Sequence, residues 1–300
     1  MTAAPGTEVT VRVPATSANL GPGFDSLGLA LALYDDVRVR VEPDSAPPVT
    51  LHVEGEGAAS VPLDGSHLVV RALHAALDAL DLPRRPLTMW CTNRVPHARG
   101  LGSSAAATVA GVLAGRALAG SEPDEEAALA LATAIEGHPD NAAAALMGGL
   151  TIAWTDGGGA HAARMEPSPE IGVVVLVPEA ELSTATARGV LPAAVPHADA
   201  AHSAGRAALL VEALTRRPDL LLAATEDRLH QDYRAVAMPA TAALVTRLRA
   251  AGVAAAVSGA GPSVLVLAAG EPAGLDVPDG WTSHRLAVDR SGAQARVAAG

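Results

Sequence analysis

The segment Pro96–Ala106, Pro-His-Ala-Arg-Gly-Leu-Gly-Ser-Ser-Ala-Ala, constrains this chain more than any other stretch. It follows the apolar run Leu87–Arg94, which reads as a strand, and leads into Ser103–Ala119, whose alanine content predicts a helix. Gly100 and Gly102 let the backbone turn with positive φ and approach a ligand closely. The first amides of the following helix have no intrahelical partner, and the helix dipole favours an anion there. Ser103 and Ser104 add hydroxyls that can meet an anion's oxygens or a metal. Physically this is an anion cradle. Taken alone it is equally a plain helix start, and Gly100-x-Gly102-x-x-Ala105 also fits the dinucleotide-binding pattern. Against the latter, Pro96 and the residues after it separate strand from glycine, and the helix leads to no strand ending in a ribose-binding acid.

Composition narrows the ligand. The 21 basic residues are all arginine, so neither a G-x-x-x-x-G-K-[ST] phosphate loop nor a lysine Schiff base can form. A net charge of −11 and 2% aromatic residues argue against nucleic acid, whose binders carry a basic stripe and stacking rings. An anion must therefore be held by backbone amides, a metal and a few placed arginines. No apolar run reaches the ~18 residues of a membrane span, and no basic-then-apolar start marks a secretion signal. The lone cysteine, Cys91, lies in the Leu87–Thr92 run and reads as a buried strand residue. A cytoplasmic protein with no membrane partner is expected.

With 49% hydrophobic and 18% charged residues over 300, the chain suits one large domain or two packed halves. Alternation predicts strands over 7–14, 34–41 and 49–54, with a polar, glycine-bearing loop over 15–27. A helix over 66–80, capped by Ser66, precedes the strand at 87–94. Helices follow at 103–119, 125–135 and 139–147, then strands at 150–155 and 171–177. The turn Asp156–Gly159 between these strands is a plausible seam, dividing the chain into 1–158 and 159–300. Helices near 197–216, 219–230 and 239–251, strands at 253–257 and 264–268, and an edge strand near 283–289 complete it. Strands and helices mix without a βαβα rhythm, so the expected class is α+β with two intimately packed α/β halves.

Three further clusters carry chemistry. Glu136-Gly-His138-Pro-Asp140-Asn141 gathers four polar side chains where one helix ends and the next begins; Glu136 offers an oxygen ligand suited to Mg²⁺. A zinc site would want more ligands than this segment supplies. Asn19-Leu-Gly-Pro-Gly-Phe-Asp25 places an amide and a carboxylate around two glycines. Val257–Val264 puts Gly259 and Gly261 between two apolar strands, which alone reads as a hairpin turn.

In combination these segments resemble the small-molecule kinase family that includes galactokinase, homoserine kinase, mevalonate kinase and phosphomevalonate kinase. The resemblance rests on P-x-x-x-G-L-G-S-S-A at Pro96–Ala105 and Gly259-Ala-Gly-Pro-Ser263, and it runs from about residue 11 to 285. Pro14–Leu31, Glu136–Asn141, Leu182–Arg188 and Tyr233-Arg234-x-x-x-x-Pro239 are similar to the homoserine-phosphorylating branch. The resemblance implies a ribosomal-protein-S5-like nucleotide-binding half at 1–158, and a ferredoxin-like half at 159–300. It implies ATP and Mg²⁺ as cofactors, and transfer of the γ-phosphate to the hydroxyl of L-homoserine in threonine biosynthesis. A homodimer is common in such families.

Carried over residue by residue, the resemblance assigns nucleotide phosphates to Pro96, His97, Ala98, Arg99, Gly100, Leu101, Gly102, Ser103, Ser104, Ala105 and Ala106. Gly259 and Gly261 shape that pocket, and Ser104 with Glu136 holds Mg²⁺. Arg188 and Arg234 are expected to fork the acceptor carboxylate and Asp25 to meet its ammonium, with Asn19, His138 and Thr184 completing the pocket. Asn141 would orient the hydroxyl, and Asp140 is the alternative base, which would need its pKa raised to act near neutrality. A mevalonate- or shikimate-type acceptor, or a ligand-binding member without catalysis, are the competing readings.

Overall fold

Val9, Val11 and Val13 alternate with exposed Thr10 and Arg12, and this period of two lays the first strand against a core on one face. The structure, a computed structural model, describes residues 3–272 and 274–298; Met1 and Thr2, at the start read above for a signal, lie outside them. β1 (Glu8–Asn19), β2 (Gly23–Val41), β3 (Val49–Gly55), β4 (Leu87–Asn93), β5 (Leu150–Asp156) and β6 (Gly159–Met165) belong to one sheet. β7 (Ile171–Pro178), β8 (Ala254–Val257), β9 (Val264–Ala269) and β10 (Trp281–Leu286) form a second, in the order β10-β7-β9-β8. β11 (Gln294–Val297) returns to the first sheet and pairs antiparallel with β1.

The helices are α1 (Leu68–Asp78), α2 (Ser103–Leu118), α3 (Glu125–Glu136), α4 (Asp140–Met147), α5 (Thr184–Gly189), α6 (His197–Thr215), α7 (Leu221–Ala224), α8 (Gln231–Arg234) and α9 (Pro239–Ala250). α1 to α4 cover one face of the first sheet and share its core. α6 and α9 sandwich the second sheet: Val173, Val175 and Val177 share a core with Leu210 and Leu214, while Val174 and Leu176 meet Leu244 and Leu248. Burial on both faces explains why β7 reads as a continuous apolar run. The architecture is α+β with a helical layer on each sheet.

The polar stretch 15–27, expected as a loop, is almost wholly strand. β1 and β2 run to Asn19 and from Gly23 and pair with each other, with shifts in register at Pro14/Ala15 and Ala18/Asn19 that leave residues 24–27 of β2 without a β1 partner. Its far end is wedged between α2 and α4 on one side and the elements around α6 on the other, so both faces are covered. Polar-out alternation vanishes there, and Thr16 and Ser17 are buried. That ribbon reaches the candidate site.

Other boundaries moved for local reasons. α1 is capped by His67, whose Nδ1 accepts the Val69 N–H, while Ser66 is held by Asp64. The helix expected over 219–230 stops at Ala224. Asp227 takes the amides of Leu229, His230 and Gln231, a local alternative to helix. The Asp156–Gly159 turn is the tip of the β5–β6 hairpin within the first sheet, and the chain passes to the second sheet through residues 166–170. β11 was missed because its side chains are exposed and no apolar alternation marks it.

Candidate active site

β4 and α2 are joined as expected, and the loop between them is fixed from three directions. Asp35 on β2 accepts the N–H groups of Arg94 and Val95 (2.6 and 2.9 Å), turning the chain as it leaves the strand; burial raises its carboxyl pKa. The Thr16 amide donates to the Leu101 carbonyl (3.0 Å), tying the loop to β1. From the second sheet, buried Ser258 sits between the Gly100 carbonyl, to which it donates (2.7 Å), and the Ser17 hydroxyl (2.8 Å).

Gly100 and Gly102 have φ of 71° and 70°, and both are crowded where a Cβ would stand. At Gly100 a Cβ would run into the Ser258 carbonyl; at Gly102 it would meet the Thr16 hydroxyl and lie 3.0 Å from Asn141 Oδ1. Gly102 caps α2 without a side-chain hydrogen bond, leaving the first-turn amides directed at the space in front of the helix.

That space is a cavity of about 340 Å³. Its wall brings together Ala98, Gly100–Ser104, Glu136, His138, Asp140, Asn141, Asn19, Thr184, Arg188, Arg234 and Gly259, drawn from both halves of the chain. Pro96, Ala105 and Gly261 stand behind the wall, Gly261 against Met238. Arg99 turns away from it: its guanidinium donates to the carbonyls of His97, Pro178 and Glu179 and pairs with Glu181. His97 and Ala106 line a second, more apolar cavity of about 340 Å³ that shares Ala98, Ser103 and Ser104 with the first. Val61, Pro62, His67, Leu68, Val69 and Asn93 are also part of its wall. Sequence reading missed these; nothing in the irregular 56–67 segment announces a pocket.

At the α2 end, Ser104 Oγ donates to Glu136 Oε2 (2.6 Å) and Thr108 Oγ1 to Glu136 Oε1 (2.7 Å). Thr108 was overlooked, although it stands one turn beyond Ser104 on the same helix face. The hydroxyl and carboxylate oxygens are hard donors that suit Mg²⁺ completed by phosphate oxygens. Among the described residues no cluster of three or more His, Cys, Asp or Glu side chains could hold a metal by itself.

At the opposite end, Arg188 grips Asp25 through two bonds (2.6 and 3.0 Å), so the two expected substrate ligands hold each other, and Asp25 itself stands behind the wall. Asn19 donates to the Gly259 carbonyl (2.7 Å) and its Oδ1 accepts the Asp25 N–H (3.0 Å). Arg234 is 1% exposed and has no ion-pair partner among the described residues. Burial, and then Arg188 nearby, pull its pKa down to about 10, which still leaves it charged at neutrality. Phe24, the only phenylalanine, lies 5.6 and 5.3 Å from the Arg188 and Arg234 guanidinium carbons.

Between the ends sits buried Asp140. Its Oδ1 is 2.9 Å from His138 Nδ1 and accepts the Asn141 N–H (2.7 Å) and side-chain amide (3.3 Å). That bond to His138 raises the imidazole pKa. Asn141 Oδ1 accepts from Thr16 Oγ1 (2.8 Å), so its amide group is the end left to act as a donor.

A backbone anion cradle beside a hydroxyl–carboxylate pair, facing one buried and one half-buried guanidinium group, is an arrangement suited to phosphoryl transfer. Residues 67–149 match the family model of the GHMP kinases N terminal domain and residues 204–284 that of the GHMP kinases C terminal. The chain belongs to the GHMP kinases, ATP-dependent enzymes that phosphorylate a hydroxyl group. Within that family it is 57% identical to the homoserine kinase of Streptomyces avermitilis, over 95% of this chain and 94% of the relative. To that of Streptomyces coelicolor it is 58% identical, over 95% and 93%. The fold matches the crystal structure of homoserine kinase from Cytophaga hutchinsonii with a TM-score of 0.85, at 25% identity over 96% of this chain and 97% of that one.

Proposed function

We propose that this chain transfers the γ-phosphate of ATP to the side-chain hydroxyl of L-homoserine, giving O-phospho-L-homoserine and ADP for threonine biosynthesis in the cytoplasm. The observation that carries this reading is the single cavity with a phosphate-binding helix start at one end and an amino-acid-sized set of charges at the other. The chain's similarity to homoserine kinases along nearly its whole length supports the choice of acceptor.

In this reading the nucleoside lies in the apolar cavity beside His97 and Val69, and its phosphates pass over Gly100–Ala105 into the charged one. Ser104 and Glu136 would hold Mg²⁺, which when bound neutralises charge on the β- and γ-phosphates. The acceptor carboxylate goes to Arg234 with Arg188, and its ammonium to Asp25, with Asn19, Thr184 and His138 lining the same end. The hydroxyl oxygen forms its bond to the γ-phosphorus as the bond to the bridging oxygen of ADP breaks.

Phosphoryl transfer asks chiefly for positioning and charge stabilisation. Asn141 has its oxygen occupied by Thr16, so it acts as a donor that orients the hydroxyl rather than as a base. Asp140 Oδ1 is committed to His138 and Asn141 and holds both, so only Oδ2 of this carboxylate is left to face the hydroxyl. The hydroxyl proton then leaves on the transferred phosphate.

ADP release measured across L-homoserine, mevalonate, shikimate and galactose tests the proposal. Turnover with homoserine far above the others is the expected result. Turnover with mevalonate or shikimate alone would keep the kinase and refute the acceptor.

A further inference from the structure

His230, just before α8, has no exposed surface. Its Nε2 lies 2.8 Å from the Gly21 carbonyl and its Nδ1 3.0 Å from Arg234 Nη1. A carbonyl only accepts and a guanidinium only donates, so one tautomer satisfies both: the hydrogen is on Nε2 and the lone pair on Nδ1. Burial lowers the imidazole pKa and keeps this neutral form. The nearest carboxylate, Asp227, comes within 3.5 Å of Nε2 but is committed to three backbone amides. Phe24 covers the ring at 5.1 Å between centroids.

Arg234 spends Nε on the Ala187 carbonyl (3.2 Å) and Nη1 on His230 and the Gly259 carbonyl (3.3 Å). No protein hydrogen bond uses Nη2 among the described residues, and Arg234 lines the charged cavity. We propose that His230 is a positioning residue of the acceptor site: it receives Arg234 so that Nη2 faces the acceptor carboxylate. This rests on the acceptor reading above.

The chemistry of the partner matters. Asp25, Asp227 and Asp140 all lie near enough to act on the Arg234 charge, and direct pairing with any of them would quench it. A neutral acceptor fixes the guanidinium without cancelling it. The positive charge stays available for a ligand.

The test compares His230→Ala, His230→Asn and His230→Asp, with ADP release as the readout. Asn keeps an acceptor where Nδ1 stood; Asp puts a charge there. His230→Ala should raise the KM for L-homoserine by at least about tenfold and leave the KM for ATP within about twofold, as expected for a misaimed charged hydrogen bond. His230→Asn should restore most of the loss and His230→Asp none. Aminopropanol, which has the hydroxyl and ammonium of homoserine but no carboxylate, should be used equally by all forms. An equal loss on both acceptors, or on ATP, would mean a merely structural role and overturn the proposal. Should the alanine variant not fold, equal homoserine KM values for the Asn and Asp variants would overturn it as well. If the wild type ignores homoserine, the acceptor reading fails separately. The series then runs on whichever carboxylate-bearing acceptor is used, against its analogue without the carboxylate.

Discussion

At its Gly100–Ser104 end the cavity presents backbone amides and two hydroxyls, whereas at its Arg188–Arg234 end it presents guanidinium groups, a carboxylate and an imidazole. The first end offers positive charge through the shape of the main chain, and no basic side chain of the loop faces it. The second recognises charge through side chains held by other side chains. The difference teaches where each end is fragile. A backbone site is lost when its conformation is denied, while a side-chain site is dismantled one group at a time.

Changing Gly102 to alanine breaks the first end outright. Its φ of 70° and the Thr16 hydroxyl leave no room for a methyl group. ADP release should fall by about 10²-fold or more, the effect of misplacing one preorganised donor. An ATP KM and kcat that stay near wild type would mean the phosphates bind elsewhere. Next in size, Arg234→Ala should raise the acceptor KM by about 10- to 100-fold, the worth of a hydrogen bond to a charged group, with little change for ATP. Parallel losses on both substrates would erase the distinction between the ends.

Glu136→Gln removes the charge but keeps the shape beside Ser104. The Mg²⁺ concentration for half-maximal activity should rise by about tenfold, near the upper end of single charge-assisted contacts on partly exposed groups. An unchanged Mg²⁺ requirement would detach Glu136 from the metal.

The smallest effect is on stability. Burial lowers the His67 pKa below 6.5, and its Nδ1 must stay unprotonated to cap α1. The unfolded chain therefore binds a proton below pH 6.5 that the folded chain resists, so stability is lost as pH falls from there through the lowered value. Urea unfolding should show that slope shrink in His67→Asn, which caps at every pH. A slope identical to wild type would assign it to His74, whose pKa burial also lowers, or to other groups.

How far the sequence could be read follows the same divide. The phosphate end is local: strand, glycines, serines and helix are contiguous, and their outline is visible in order. The Arg188–Arg234 end is assembled from residues near 20, 138, 188, 234 and 259, so composition and periodicity could not bring them together; only family resemblance suggested them. What neither revealed are the side chains that hold others in place, such as Thr108, Asp35, Phe24 and His230. Thr16 and Ser17 hid inside a segment that looked like a loop because both of its faces are buried. The helix expected at 219–230 failed because Asp227 offers the backbone an alternative that propensity does not register.

β11 carries a consequence for how the chain comes into being. Residues 294–297 lie against residues 9–12, and the bridge between Leu31 and Val288 draws the same late segment onto β2. During synthesis, the first sheet begins with β1 and waits for β11, which follows every strand of the second sheet. Until then β1 has an open edge, its amides and carbonyls unpaired on that side. The ribosome thus delivers a first sheet that stays incomplete until every strand of the second has already emerged.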